Sequence, residues 1–261
     1  MRTVLPMRTA KRADALRAPV PPAQLARRTI VEEVLVVLSL SVLRSAAFAI
    51  ISLLEAPIAG VVVAAADQSA GFARQIVGFV FAIAPVFLVI HLLRRSGEGV
   101  ELIGLRDDEP GRDLIRGLIV FAVVAVAGVG IYLGSVELGV NRFVLPVPPL
   151  GHWWTVPALI LNALEAGLLE EVIVLGYLVT RLRQLAWSPA AAIATSAVVR
   201  GSYHLYQGWG GFFGNLAMGV LFGVLFLRWG RRTWPFVVAH TLLDVAAGVG
   251  FILFRHHLPG F

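Results

Sequence analysis

Seven apolar runs separated by short loops leave this chain few ways to fold. They occupy residues 30–54, 75–93, 117–136, 154–179, 189–204, 212–227 and 234–254. A helix needs about 20 apolar residues to cross the hydrocarbon core of a bilayer. Inside that core, backbone polar groups must be paired within helices or a closed barrel. Barrel strands alternate in segments of about 10 residues, and no run here alternates. The sequence therefore predicts an all-α, polytopic helical membrane protein with about seven transmembrane helices. Composition agrees, with 58% of the 261 residues hydrophobic and 15% charged, against roughly 45–50% and 25% in soluble domains.

Arginine placement sets the orientation. The segment 1–29 carries seven basic residues and four prolines, which reads as a disordered basic cytoplasmic tail. The first run is too long for a signal-peptide core of about 7–15 residues, so it reads as a retained helix. Along the chain, loops rich and poor in arginine then alternate. Arg94, Arg95, Arg106, Arg112 and Arg116 lie in the second loop, and Arg228, Arg231 and Arg232 in the sixth. This predicts seven spans with the N-terminus inside and the C-terminus outside, in an integral protein of the plasma membrane. Trp187, Trp229 and Trp234 fit the inner interface, and Trp153, Trp154 and Trp209 the outer one. The net charge of +6 follows from these loops and implies no nucleic-acid partner. Absence of cysteine excludes disulfides, thiolate metal sites and cysteine nucleophiles. The second loop, 94–116, which contains Asp107–Gly111, reads as a solvated turn-rich connector, His256 and His257 as a solvated tail, and Tyr203, Tyr206 and Gln207 as an interfacial rim.

Glu170 and Glu171 lie inside the fourth run. A carboxylate at mid-bilayer costs roughly 2.5–3.5 kcal/mol on insertion scales, so two in a row require partners. Candidates occur on other runs, each pair spaced i, i+4 and thus on one helix face: Arg200 and His204, then His240 and Asp244. A carboxylate with an imidazole suits activation of a water, and a second imidazole suits stabilisation of an oxyanion. The same groups are ligands for a divalent metal such as zinc, with Glu170, His204 and His240 the candidate set. Ser196 and Ser202 lie near His204, but neither has an evident third orienting group. Asn215 is a candidate supporting group. Counted from the inner ends of the runs, Glu170 lies roughly 13 Å deep, His240 roughly 9 Å and His204 roughly 22 Å. For these to meet, the fifth run must tilt or start deeper.

These motifs resemble the CPBP family, the CAAX-protease and bacteriocin-processing (Abi-like) intramembrane proteases. Its pattern is a Glu-Glu pair followed four positions later by Arg, a Phe four positions before a His, and a His followed four positions later by Asn or Asp. Glu170-Glu171, His204 and His240 with Asp244 occur in that order. The resemblance covers about residues 150–250 and divides the chain into the tail 1–29, N-terminal transmembrane helices 30–149 and a catalytic helical core 150–255. It implies a peptide-bond hydrolase in which Glu170, Glu171, His204, His240 and Asp244 form the site. Glu170 and His204 would activate water, and His240 and Asp244 would stabilise the oxyanion or complete the site; the resemblance leaves open a metalloprotease and a metal-independent, glutamate-dependent mechanism. The implied partners are the lipid bilayer and a membrane-tethered peptide or protein substrate. Two positions depart from the pattern: Leu175 replaces the Arg, and Arg200 replaces the Phe. A relocated cation is expected, with Arg200 neutralising the acids from across a helix interface. The alternative is a catalytically inactive protein of the same fold, acting as an immunity factor or scaffold. A proton-coupled transporter is disfavoured by the lack of an internal repeat.

Overall fold

In the computed structural model, residues 25–55, 61–63, 72–140, 143–145 and 150–254 are described. The tail residues 1–24, together with His256 and His257, lie outside the described residues. The first helix, α1 (Arg27–Leu38), starts within the expected tail. It passes through a widened turn, Ser39–Leu43, into α2 (Arg44–Glu55). Then follow α3 (Phe72–Ala82), α4 (Ala84–Arg95), α5 (Pro110–Glu137), α6 (Thr155–Glu170), α7 (Leu178–Gln184), α8 (Pro189–Tyr203), α9 (Trp209–Arg228) and α10 (Trp234–Phe254). Each apolar run coincides with one helical stretch. Among the described residues, four stretches are long and apolar enough to cross a membrane: Gln75–Arg95, Pro110–Ser135, Trp209–Arg228 and Trp234–Leu253. A fifth is added if Arg27–Leu43 and Ser45–Ile51, bent by 45°, form one span. The loops either side of α3 to α5, both arginine-poor, meet in a short parallel pair, Val61–Val63 (β1) with Phe143–Leu145 (β2).

The axis of the bundle is α6–α7, joined by a π-helical turn, Glu171–Tyr177. Residues 170–182 are buried without interruption. A helix apolar on every side belongs inside a bundle. Val34 and Val37 of α1, Val89 and Leu93 of α4, Phe222 and Phe226 of α9, and Phe236 of α10 share one core with it. Lipid is as apolar as leucine, so association depends on close packing. Small residues permit it between α8 and α9. A Cβ on Gly219 would lie 2.9 Å from the Ala197 backbone, and one on Gly223 would lie 2.9 Å from the Ile193 side chain. Ser188 caps α8 by accepting from the Ala191 amide at 3.1 Å, and Pro189 occupies its first turn, where no amide is needed. Gly208, at φ 100°, breaks the chain between a 3₁₀ turn, Leu205–Gln207, and α9.

The second loop is less solvated than expected. A 3₁₀ turn, Val100–Ile103, tucks Ile103 fully into the core. Its carbonyl accepts from the Thr233 hydroxyl at 2.6 Å, and the Gly104 carbonyl accepts from the Thr233 amide at 2.9 Å. These bonds hold the start of α10 inside the bundle. α5 begins at Pro110, not near 117, and Asp113 in its first turn is buried against Arg232 at 2.7 Å.

Candidate active site

Helix lengths bring the polar groups to one level. The central helix continues to Gln184. At about 1.5 Å of rise per residue, that puts Glu170 roughly 21 Å from the inner end. His204 directly follows α8. The same rise puts it roughly 22 Å from Pro189. Thr233 lies beside Gly176, where a Cβ would come 3.0 Å from its hydroxyl. Gly176 is roughly 12 Å above Gln184, and His240 is about 10 Å further along α10. All three groups therefore reach a depth of about 21–22 Å. The fifth run starts at Pro189 as expected; the difference lies in the inner ends of the fourth and seventh runs, which lie further from the polar groups than their apolar residues indicate.

At that level the acids share one cation. Arg200 is buried, and its guanidinium donates to Glu171 Oε1 at 2.6 Å and Glu170 Oε2 at 3.4 Å. Leu175 is buried among apolar neighbours of the core. His240 Nδ1 lies 2.7 Å from Glu171 Oε1, and its Nε2 lies 3.6 Å from Asp244 Oδ2. His204 Nε2 lies 3.7 Å from Glu170 Oε2. That is beyond a hydrogen bond, and both ring nitrogens of His204 are buried without a hydrogen-bond partner among the described residues. The two glutamates differ in access. The Glu171 side chain is fully enclosed, whereas those of Glu170 and His204 keep 12% and 13% of their surface, and that of Asp244 keeps 40%.

Ser196 and Ser202 spend their hydroxyls on the carbonyls of Val174 and Val199, each at 2.7 Å. The first bond satisfies a carbonyl within the π turn, where the regular ladder is interrupted. Asn215 donates to Gly211 of its own helix at 3.0 Å and lines an apolar cavity of about 280 Å³ between α5 and α9. Its bond is thus to its own helix, one turn back.

Tyr203 is a correction to the sequence reading. Expected at the interfacial rim, it is buried, and its hydroxyl donates to Glu170 Oε2 at 2.7 Å. Its ring is 4.8 Å from that of His204. Spacing carried the signal, because Tyr203 follows Arg200 by three positions and so shares its helix face.

Glu170, Glu171 and His240 bring ligand atoms within 4.8 Å of one another, a donor set of the kind divalent ions use. The oxygen nearest the imidazole, however, already accepts from Arg200 at 2.6 Å. A divalent ion there would face a fixed guanidinium at close range, so these residues do not fit one. His204, expected as a third ligand, is not in this group.

No curated protein and no solved structure gives a significant match to the chain. Residues 152–246 match the family model described as type II CAAX prenyl endopeptidase Rce1-like. That stretch contains all six charged or imidazole groups of the buried cluster. The segment that carries the cluster is therefore the segment similar to the Rce1-like family of CAAX proteases.

Proposed function

We propose that the chain is an intramembrane endopeptidase that cleaves a peptide bond of a membrane-tethered protein or peptide, using water activated by Glu170 and His204. The observation that carries this reading is the 3.7 Å edge between Glu170 Oε2 and His204 Nε2. A water hydrogen-bonded to both at about 2.8 Å closes a triangle over it, and it supplies a partner for the unpaired imidazole. Glu170 takes a proton from that water as the oxygen attacks the peptide carbonyl. In its imidazolium form, His240 donates Nδ1–H to Glu171 and offers Nε2–H to the resulting oxyanion. The proton held by Glu170 then passes to the leaving amine nitrogen as the C–N bond breaks. Glu171 and Arg200 are sealed from water; they set the positions of His240 and Glu170.

The family description names prenylated CAAX substrates. For this chain the proposal is a tethered peptide reaching the cluster from the bilayer of an integral membrane protein, the plasma membrane being the expected one. The inactive reading rested on Leu175, and the cation at position 200 removes that ground. The test is cleavage of membrane-tethered peptides by protein reconstituted in vesicles. Glu170→Gln and His204→Ala, each folded by thermal melt, are expected to lose at least about 100-fold in rate. Retained turnover in folded Glu170→Gln would overturn the proposal.

A further inference from the structure

At the end of the bundle that the arginine pattern assigns to the cytoplasm, four arginines have acids. Arg232 pairs with Asp113 and Asp108, Arg181 with Glu98, and Arg112 with Glu109. Arg116 lies 3.7 Å from Asp113. Arg106 and Arg231 are different. Arg106 Nε and Arg231 Nη1 are buried, and among the described residues neither has a hydrogen-bond partner.

The fold forces these two arginines together. Thr233 bonds to the carbonyls of Ile103 and Gly104, so the loop carrying Arg106 is fastened to the turn carrying Arg231. A Cβ on Gly104, which has φ 86°, would lie 2.6 Å from the Arg231 carbonyl. Arg231 itself has φ 60°, a conformation that residues other than glycine rarely adopt. Burial, then the charges of Arg106 and Arg183, pushes the Arg231 guanidinium below its usual range. Two like charges thus meet where the second loop joins the turn before α10, and Arg183, at the end of α7, donates one N–H to the Trp187 carbonyl and keeps the rest of its guanidinium fork for a ligand. Each of the three arginines is only partly buried, so a ligand can reach them. Trp187 and Trp234, both exposed nearby in sequence, mark headgroup depth, where tryptophan concentrates.

We propose that Arg106, Arg183 and Arg231 form a phosphate-binding site at the inner end of the bundle, filled by the headgroup of an anionic lipid or by free phosphate. Phosphate has several oxygens that accept from separate guanidinium forks, and charge-assisted bonds of this kind are among the strongest. Basic pockets between transmembrane helices on this side of a membrane bind such headgroups. The site is separate from the buried acids and stands whether or not they hydrolyse peptides.

The test uses the full chain in nanodiscs of phosphatidylcholine, with or without phosphatidylglycerol, and native mass spectrometry alongside thermal melts. Phosphatidylglycerol is expected to stay bound and raise Tm for wild type and for Arg94→Gln, an exposed arginine outside the cluster. Retention should weaken about fivefold for each guanidinium removed, roughly thirtyfold in Arg106→Gln with Arg231→Gln. A Tm rise with inorganic phosphate in phosphatidylcholine alone, lost in the double variant, would assign the site to the free anion. A phosphatidylglycerol bearing a photo-crosslinker gives a readout on wild type alone, with adducts expected at residues 104–106, 183–187 and 229–233. Adducts confined elsewhere, undiminished retention in the double variant, or no response to either ligand would overturn the proposal.

Discussion

A guanidinium at position 200 lies against both carboxylates of the buried pair. Removing one member of a buried ion pair leaves the others uncompensated and costs about 3–5 kcal/mol. Arg200→Ala is therefore expected to abolish cleavage and to lower Tm sharply in detergent melts. If the cation has moved from position 175, Leu175→Arg combined with Arg200→Phe should recover part of the lost turnover, measured against the Arg200→Ala protein. Tyr203→Phe removes one hydrogen bond to Glu170, worth about 1 kcal/mol, and should slow cleavage without unfolding the protein. Chelators are expected to leave turnover unchanged, because the Glu171 oxygen nearest His240 already accepts from the Arg200 guanidinium. The acids, the histidines and Arg200 were readable from sequence, since charges inside apolar runs are conspicuous. Tyr203 shares a helix face with Arg200 by spacing, but a tyrosine beside glycine and serine near a helix end suits an interface equally well, so spacing alone did not single it out.

The π turn Glu171–Tyr177 and its Gly176 decide how closely two elements approach the central helix. A Cβ at position 176 would lie 2.7 Å from the Ile103 carbonyl and 3.0 Å from the Thr233 hydroxyl. Gly176→Ala is expected to cost about 1–3 kcal/mol by overpacking and to reduce activity, because the shift would pass along α10 to His240. A thermal melt paired with a rate measurement checks both. The apolar runs located the helices but misplaced inner ends. Arg181 ends the fourth run by any hydropathy criterion, yet the helix continues through it, with the arginine fully buried against Glu98 at 2.7 Å. Nor could periodicity show that a loop from before α5 would enter the core and set the start of α10, since that depends on bonds between residues 130 positions apart.

Across the whole molecule, a latch at the Gln184 end of the bundle ties the N-terminal helices to the site-bearing half. Arg181 reaches Glu98 at 2.7 Å and Glu33 at 3.7 Å, and Gln184 donates to Glu98 at 2.8 Å. Burial, the largest influence on Glu98, pushes its pKa up, but hydrogen bonds from Gln184, Ser96 and Arg181 outweigh it and hold the carboxyl below its ordinary 4.5. A depressed folded-state value means the latch contributes fully above 4.5 and loses its contribution as pH falls through that lower value. Melts from about pH 6 to pH 3 should show this loss, and Glu98→Gln should flatten it. The central claim is that charged groups from separate helices meet around one reactive carboxylate, Glu170, which activates water without being attacked itself. Single-turnover cleavage of a tethered peptide in H₂¹⁸O tests it most directly. The expected result is one ¹⁸O in the new carboxyl terminus of the product and none in Glu170. Label in Glu170, or cleavage that continues in folded Glu170→Gln, would contradict it.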